Sequence, residues 1–282
     1  MGIRGSMKRH LLLASFACLL APGAGYAAAP AKDTSTSVFL EDLTTTELKD
    51  KIAHGCPVAL IFSGSTEQTG PHVALGKHIF RARVYSEALA REMGDAVVAP
   101  ILPFAPVNGL STALPGSISL SKEDFARVNE DVARSLITGG MKRVALLNDH
   151  GGDAQTALKE VAAKLDKEFS GQGTHVFFIS DGYQKARLAV EAEIRASGKV
   201  AGGHGGLWDV SETMAAKPGT VRPEKFHPGN LEQEGNGPLN EEGFSGDPRG
   251  STEALGKHFG EMRVKAAAAE LRAALASAGA CK

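Results

Sequence analysis

The chain has 282 residues, with 31 Lys and Arg against 32 Asp and Glu and a formal net charge of −1. A chain this close to neutral, without a basic cluster, offers no electrostatic footprint for nucleic acid. Its 3 cysteines exclude a four-Cys zinc module.

The N-terminus carries an export pattern. Met7-Lys8-Arg9-His10 is a short basic start, Leu11 to Leu20 is apolar, and Gly25-Tyr26-Ala27 supplies small residues for cleavage before Ala28. The apolar run is far short of the ~20 residues that a membrane span needs. Ala17-Cys18 also permits a lipoprotein signal, but Ser15 stands where Leu is usual and apolar residues continue past Cys18. Residues 1–27 therefore read as a signal peptide and residues 28–282 as a single domain with a sizeable core. The expected destination is the periplasm, with no membrane attachment once the signal is removed. Cys56 and Cys281 can pair in such a compartment or remain two free thiols. Two cysteines alone leave both open.

Residues 28–37 form a Pro, Ala, Ser and Thr leader. Thr44 with Glu47 three residues on is a capping-box pattern that opens a helix through Leu48 to Ile52. Apolar runs predict strands over 58–62, 96–102, 143–147 and 175–180. Between them, periodicity predicts helices over 81–93, 121–137 and 154–169, with another over 184–196. Gly94 and Gly139-Gly140 supply stops. Residues 198–249 are rich in Gly and Pro, with one helical patch over 210–216, and an Ala-rich helix over 258–276 closes the chain. Strands alternating with helices predict an α/β fold with a mostly parallel sheet covered on both faces.

Ser63 to His78 is a Gly-rich loop at the carboxyl end of the first strand, where α/β proteins place their chemistry. Glu67 and His78 lie in it, and His150 follows the third strand. A carboxylate and two imidazoles suit a divalent first-row metal with a position left for water, whose pKa such an ion lowers. No compact motif such as His-Glu-x-x-His joins them. Spacing alone therefore favours the reading of unrelated loop residues. Ser63 and Ser65 have no nucleophile motif around them.

Residues 64–78, Gly-Ser-Thr-Glu67-Gln-Thr69-Gly-Pro-His72-Val-Ala-Leu-Gly-Lys-His78, resemble the first signature of the creatininase family, Gly-[Ser/Ala]-x-Glu-Gln-His-Gly-Pro-His-Leu-Pro-Leu-Gly-Thr-Asp. Four further stretches resemble the family in the same order. They are Leu114-Pro-Gly-Ser-Ile-Ser-Leu120, Asn148-Asp-His150-Gly-Gly-Asp153, His204-Gly-Gly-Leu-Trp-Asp209-Val-Ser211, and Gly246-Asp-Pro248 with Thr252, Glu253 and Gly256. The resemblance implies a three-layer α/β/α sandwich, a small-molecule amidohydrolase activity and a homo-oligomer, commonly a hexamer. It also implies a two-metal centre whose bridging Asp is His78 here and whose signature His is Thr69. An imidazole does not readily bridge two ions about 3.5–4 Å apart, so one ion per chain is expected. The set Glu67, His78 and His150 would hold zinc, with iron or manganese as alternatives, and Asp209 would be a fourth ligand or a supporting partner.

The resemblance makes His204 the proton-transfer residue, assisted by Asp209, with His72 in support. Trp208 and Tyr183 are candidates for an aromatic wall against a flat substrate. The segment Phe104 to Gly109 lacks the Gly-x-Ser-x-Glu-His of many relatives, which implies a remodelled pocket. Asp149 and Asp153 are near enough in sequence to His150 to orient a ligand ring. The expected function is metal-dependent hydrolysis of a small, cyclic amide or related C–N bond. The alternatives are a catalytically silent member that binds a ligand or assembles with partners, and a redox-active iron site.

Overall fold

The strand β1 (Val58–Ser63) sits at the centre, and all six of its residues are buried. A computed structural model describes residues 1–2, 37–107, 109–231 and 238–281. Residues 34–282 form one compact unit. The export pattern over residues 7–27 and its cleavage point lie outside the described residues.

β2 (Ala96–Val98), β3 (Arg143–Asn148) and β4 (His175–Phe178) complete a sheet of order β2-β1-β3-β4. Every pairing is parallel. A parallel sheet needs cover on both faces, and the two-residue period of β1 supplies it. Ala59 and Ile61 enter one apolar cluster, while Val58, Leu60 and Phe62 enter another.

The first cluster is closed by α1 (Thr45–His54), α4 (Lys122–Thr138) and α5 (Asp153–Phe169), through Leu48, Phe125, Leu158 and Leu165 among others. The second is closed by α2 (Lys77–Met93) and α8 (Glu253–Ser277), through Tyr85, Leu89, Ala268 and Leu271. The short α3 (Leu110–Ala113) follows β2, while α6 (Gln184–Ala196) and α7 (Leu207–Ala216) pack with α8 around Trp208 and Phe259. This is the α/β/α sandwich that the alternation of strands and helices predicts.

Local chemistry explains the element ends. Thr44 caps α1 in a complete capping box with Glu47, and Ser121 accepts the Asp124 N–H at the start of α4. Thr252 caps α8 in the same way through Leu255 N–H. Gly256, one turn into α8, has no room for a side chain, because a Cβ there would clash with the Ser211 carbonyl of α7.

The structure differs from expectation in where helices and strands begin and end. α2 starts at Lys77, so His78 belongs to a helical first turn rather than to a loop. α8 starts five residues before the predicted 258, and β2 stops at Val98 rather than 102. Beyond Val98 the backbone leaves the ladder and only an isolated Ser63–Leu102 bridge remains.

Cys56 and Cys281 form a disulfide, with Cα atoms 6.1 Å apart and 225 residues of separation. The pairing ties the end of the chain to the entrance of β1. A cross-link closing so long a loop acts mainly on the unfolded chain, and its loss typically costs about 2–5 kcal/mol. Cys281→Ser should lower the unfolding free energy by about that amount in denaturant titrations, and reducing agent should do the same to the wild type alone.

Candidate metal centre

Three separate elements deliver the site. Glu67 lies in the loop after β1, where its N–H bonds the Leu75 carbonyl at 2.9 Å and Thr66 bridges Ile118. His78 is the second residue of α2. His150 follows β3, and its backbone is clasped by Asn148, whose amide nitrogen donates to the His150 carbonyl at 2.7 Å while its oxygen accepts the His150 N–H at 3.1 Å. Because β1 and β3 are parallel neighbours in register Ser63 to Asn148, both loops emerge at the same end of the sheet.

Glu67, His78 and His150 each offer one ligand atom within 4.8 Å of the others. Glu67 Oε2 is 3.0 Å from His78 Nε2 and 3.4 Å from His150 Nε2. Ligand atoms held about 2.0–2.1 Å from a tetrahedral zinc stand roughly 3.3 Å apart, so these spacings suit an ion of that size. The rings are also aimed. His78 Nδ1 meets Asp149 Oδ2 at 2.8 Å, and His150 Nδ1 donates to the Gly151 carbonyl at 3.1 Å. Both Nε2 atoms are thereby left facing Glu67. The donor set fits a divalent cation.

Behind His78 lies a fully buried charge network. Asp149 is gripped by Arg81 Nη2 at 2.7 Å and Arg263 Nη2 at 2.6 Å, and Arg263 also reaches Glu212 at 2.6 Å. Burial alone would raise the Asp149 pKa, yet the two guanidiniums outweigh it and hold the carboxylate well below its usual range. At Glu212 burial wins and the pKa is raised, despite Arg263 and Arg81. Burial also opposes the Glu67 charge, but His204, His150 and His78 together bring its pKa well below the ordinary value.

The structure places the remaining residues as follows. Asp209 does not join the cluster: its Oδ2 accepts Lys77 Nζ at 2.5 Å and Gly205 N–H at 2.8 Å, and its Oδ1 accepts Arg81. A carboxylate with both oxygens so committed supports the site and is not placed as a fourth ligand. His204 Nε2 donates to the Gln68 carbonyl at 2.9 Å, which leaves Nδ1 as the basic nitrogen, 4.0 Å from Glu67. Burial, with Lys77 adding to it, lowers the His204 pKa to about 4, so the ring is neutral at pH 7.

Thr69 is buried beside Glu67 with its hydroxyl turned to the Glu67 carbonyl. His72 donates to the Gly205 carbonyl at 2.8 Å and packs edge-on against Phe244 and Phe226. It shapes the His204 loop and takes no part in the cluster. Ser63 bonds Asn129 at 3.1 Å.

A cavity of about 490 Å³ opens over Glu67, His78, His150 and His204. Tyr183 and Trp208 line it, as do Lys77, Asp209 and, from the remodelled segment, Pro106 and Gly109. The faces of the two aromatics also serve the buried cations, with Arg81 5.7 Å from the Trp208 ring centre and Arg263 5.4 Å from that of Tyr183. Lys77, Arg81, Arg263 and Glu212 went unnoticed in the sequence. The one available signal was Lys77 and Arg81 flanking His78 at helical spacing.

The fold and the cluster together define a parallel α/β/α sandwich with a candidate metal site at the carboxyl end of its sheet. The sequence model of the creatininase family, described as creatinine amidohydrolase, matches residues 41–271, and the chain belongs to that family. Creatinine amidohydrolase of Pseudomonas putida is 28% identical over 120 residues, 41% of this chain and 46% of that protein. The 3-dehydro-scyllo-inosose hydrolase of Thermotoga maritima is 26% identical over 117 residues, 41% of this chain and 37% of that protein. The chain thus spans less than half the length of these two curated relatives.

Mycofactocin precursor peptide peptidase of Mycolicibacterium smegmatis is 26% identical over 222 residues, 73% of this chain and 81% of that protein. A creatininase crystal structure superposes with a TM-score of 0.70 at 22% identity, covering 84% of this chain and 97% of the other. A creatininase described as the Mn form superposes with the same score, identity and share of this chain, covering 98% of its own. The likeness to these structures shows the fold.

The Asp149–His78 contact makes a quantitative expectation. Removing the carboxylate that orients a ligand imidazole typically costs about 10–100-fold in metal affinity. Asp149→Asn should weaken zinc binding by that factor in a competition titration. It should also destabilise the fold by about 3–5 kcal/mol, since two buried guanidiniums each lose one of their charge partners.

Proposed function

We propose that this protein is an exported, metal-dependent hydrolase that cleaves the C–N bond of a small, cyclic amide. The observation that carries this is the convergence of Glu67 Oε2 with two imidazoles whose Nδ1 atoms are already anchored, at the floor of a cavity of about 490 Å³. A divalent cation bound there supplies Lewis acidity and lowers the pKa of water. The relatives named above are a creatinine amidohydrolase, an inosose hydrolase and a peptide peptidase, so kinship supports hydrolysis and leaves the substrate open.

Within that reading the chain's own groups divide the work. Glu67, His78 and His150 hold the ion, with zinc favoured by the His and carboxylate set, and iron or manganese as alternatives. His204 is neutral at pH 7 with Nδ1 towards the cluster, so it can take a proton from water and pass it to a leaving nitrogen. Asp209 holds Gly205 N–H and thereby the loop that carries His204. Tyr183 and Trp208 supply flat walls.

The residues present support one ion per chain. Thr69 is a poor ligand, His78 spends one ring nitrogen on Asp149, and Asp209 is neutralised by Lys77 and Arg81. The same commitments of Asp209 favour, as the second reading, a silent member that binds a ligand.

Elemental analysis separates the two readings. The hydrolase should carry about one zinc, iron or manganese per chain, lose cyclic-amide hydrolysis on chelation and recover it with added metal. Glu67→Gln should abolish both metal content and turnover, and metal-free wild type with no hydrolysis restored by any of the three ions would sink the proposal. Oxygen uptake by an iron-loaded sample would instead indicate redox chemistry.

Export and assembly are part of the same proposal. The disulfide supports an oxidising compartment, and no helix among the described residues is long and apolar enough to cross a membrane. Protein recovered from a periplasmic fraction should begin at Ala28 and show the mass of a homo-oligomer, a hexamer by family resemblance, in light scattering. A retained N-terminus or a monomer would contradict it.

A further inference from the structure

Lys77 is the first residue of α2 and among the largest fully buried side chains of the protein. Its Nζ touches Asp209 Oδ2 at 2.5 Å, the one acceptor it meets among the described residues. An ammonium has three N–H donors, so two are left without a protein partner. Buried donors of this kind are costly unless something completes them. Lys77 also lines the cavity shared by Glu67, His78, His150 and His204.

Charge points the same way. The buried groups around the cavity floor are Glu67, Asp149, Asp209 and Glu212 against Lys77, Arg81 and Arg263. Four carboxylates against three cations leave at most one excess negative charge, and burial pushes Glu212 towards its neutral form. Asp153 also lines the cavity, so a divalent ion on Glu67, His78 and His150 brings these charges close to balance rather than leaving them negative. In a low-dielectric cavity so balanced, the Lys77 ammonium is the group that favours an anionic oxygen.

We propose that Lys77 forms an anion subsite within this pocket, its two free N–H groups taking the carboxylate of an acidic substrate. The subsite shares its cavity with Trp208 and Tyr183, so the ligand class is a small, flat molecule bearing a carboxylate. The inference deepens the hydrolase reading by giving its substrate a charge. The subsite itself rests on Lys77 alone.

Benzoate and its neutral counterpart benzamide test this directly. Trp208 is the chain's only tryptophan and lines the cavity, so its fluorescence reports occupancy. Zinc-loaded wild type should bind benzoate about tenfold or more tightly than benzamide, the scale of a charge-assisted hydrogen bond. Lys77→Met should lose that preference, and Lys77→Arg, which keeps the charge, should retain it. Wild type that binds the two ligands alike overturns the proposal whether or not Lys77→Met folds. So does a preference that persists in folded Lys77→Met, because the metal alone would then explain it. Metal content and binding to the stripped protein separate this from the hydrolase reading. A wild type that takes up none of zinc, iron or manganese but still prefers benzoate through Lys77 keeps the subsite and removes the hydrolase.

Discussion

The carboxylate of Asp149, sealed from water between Arg81 and Arg263, is the contact on which the site depends. It fixes the ring of His78 through Nδ1, joins α2 to α8 across the top of the sheet, and keeps its charge because two guanidiniums outweigh the cost of burial. A buried ion pair of this kind is weak evidence for stability, since apolar replacements often do as well. Its value here is positional. The hydrogen-bonded carboxylate sets which nitrogen of His78 faces Glu67.

The fold was legible because its signals are local. A five-residue apolar run reads as a doubly covered strand, and Thr44, Ser121 and Gly94 mark helix ends by chemistry that acts over a few residues. The first turn of α2 was harder. Gly76 caps it without a side-chain hydrogen bond, so no polar residue announced a helix start at Lys77. Reading that turn as loop kept Lys77, His78 and Arg81 from being seen as successive positions of one buried helix face.

The site divides along the same line. Glu67, His78 and His150 were found from the loops that carry them and from likeness to a family. Asp149 was noticed as a neighbour of His150, yet it serves His78, 71 residues earlier in the chain. Nothing at sequence level assigns a carboxylate to one of two imidazoles when both come from different elements. Arg263 was hidden for a related reason, since one of four Lys and Arg residues in an Ala-rich helix reads as a solvated side chain. Its partners lie 51 and 114 residues away.

These long-range contacts also explain how the residues at positions 77, 78 and 149 fit together. An imidazole at 78 needs an acceptor behind it, and Asp149 supplies one. Asp149 then needs cations, which Arg81 and Arg263 provide. Arg81 in turn draws in Asp209, which takes Lys77 as its second cation and so is no longer open to a metal. Each step satisfies a charge that the previous one buried. The chain of pairings ends at Lys77, which lines the cavity and meets no second acceptor among the described residues. A ligand with an anionic oxygen is the group that would complete it.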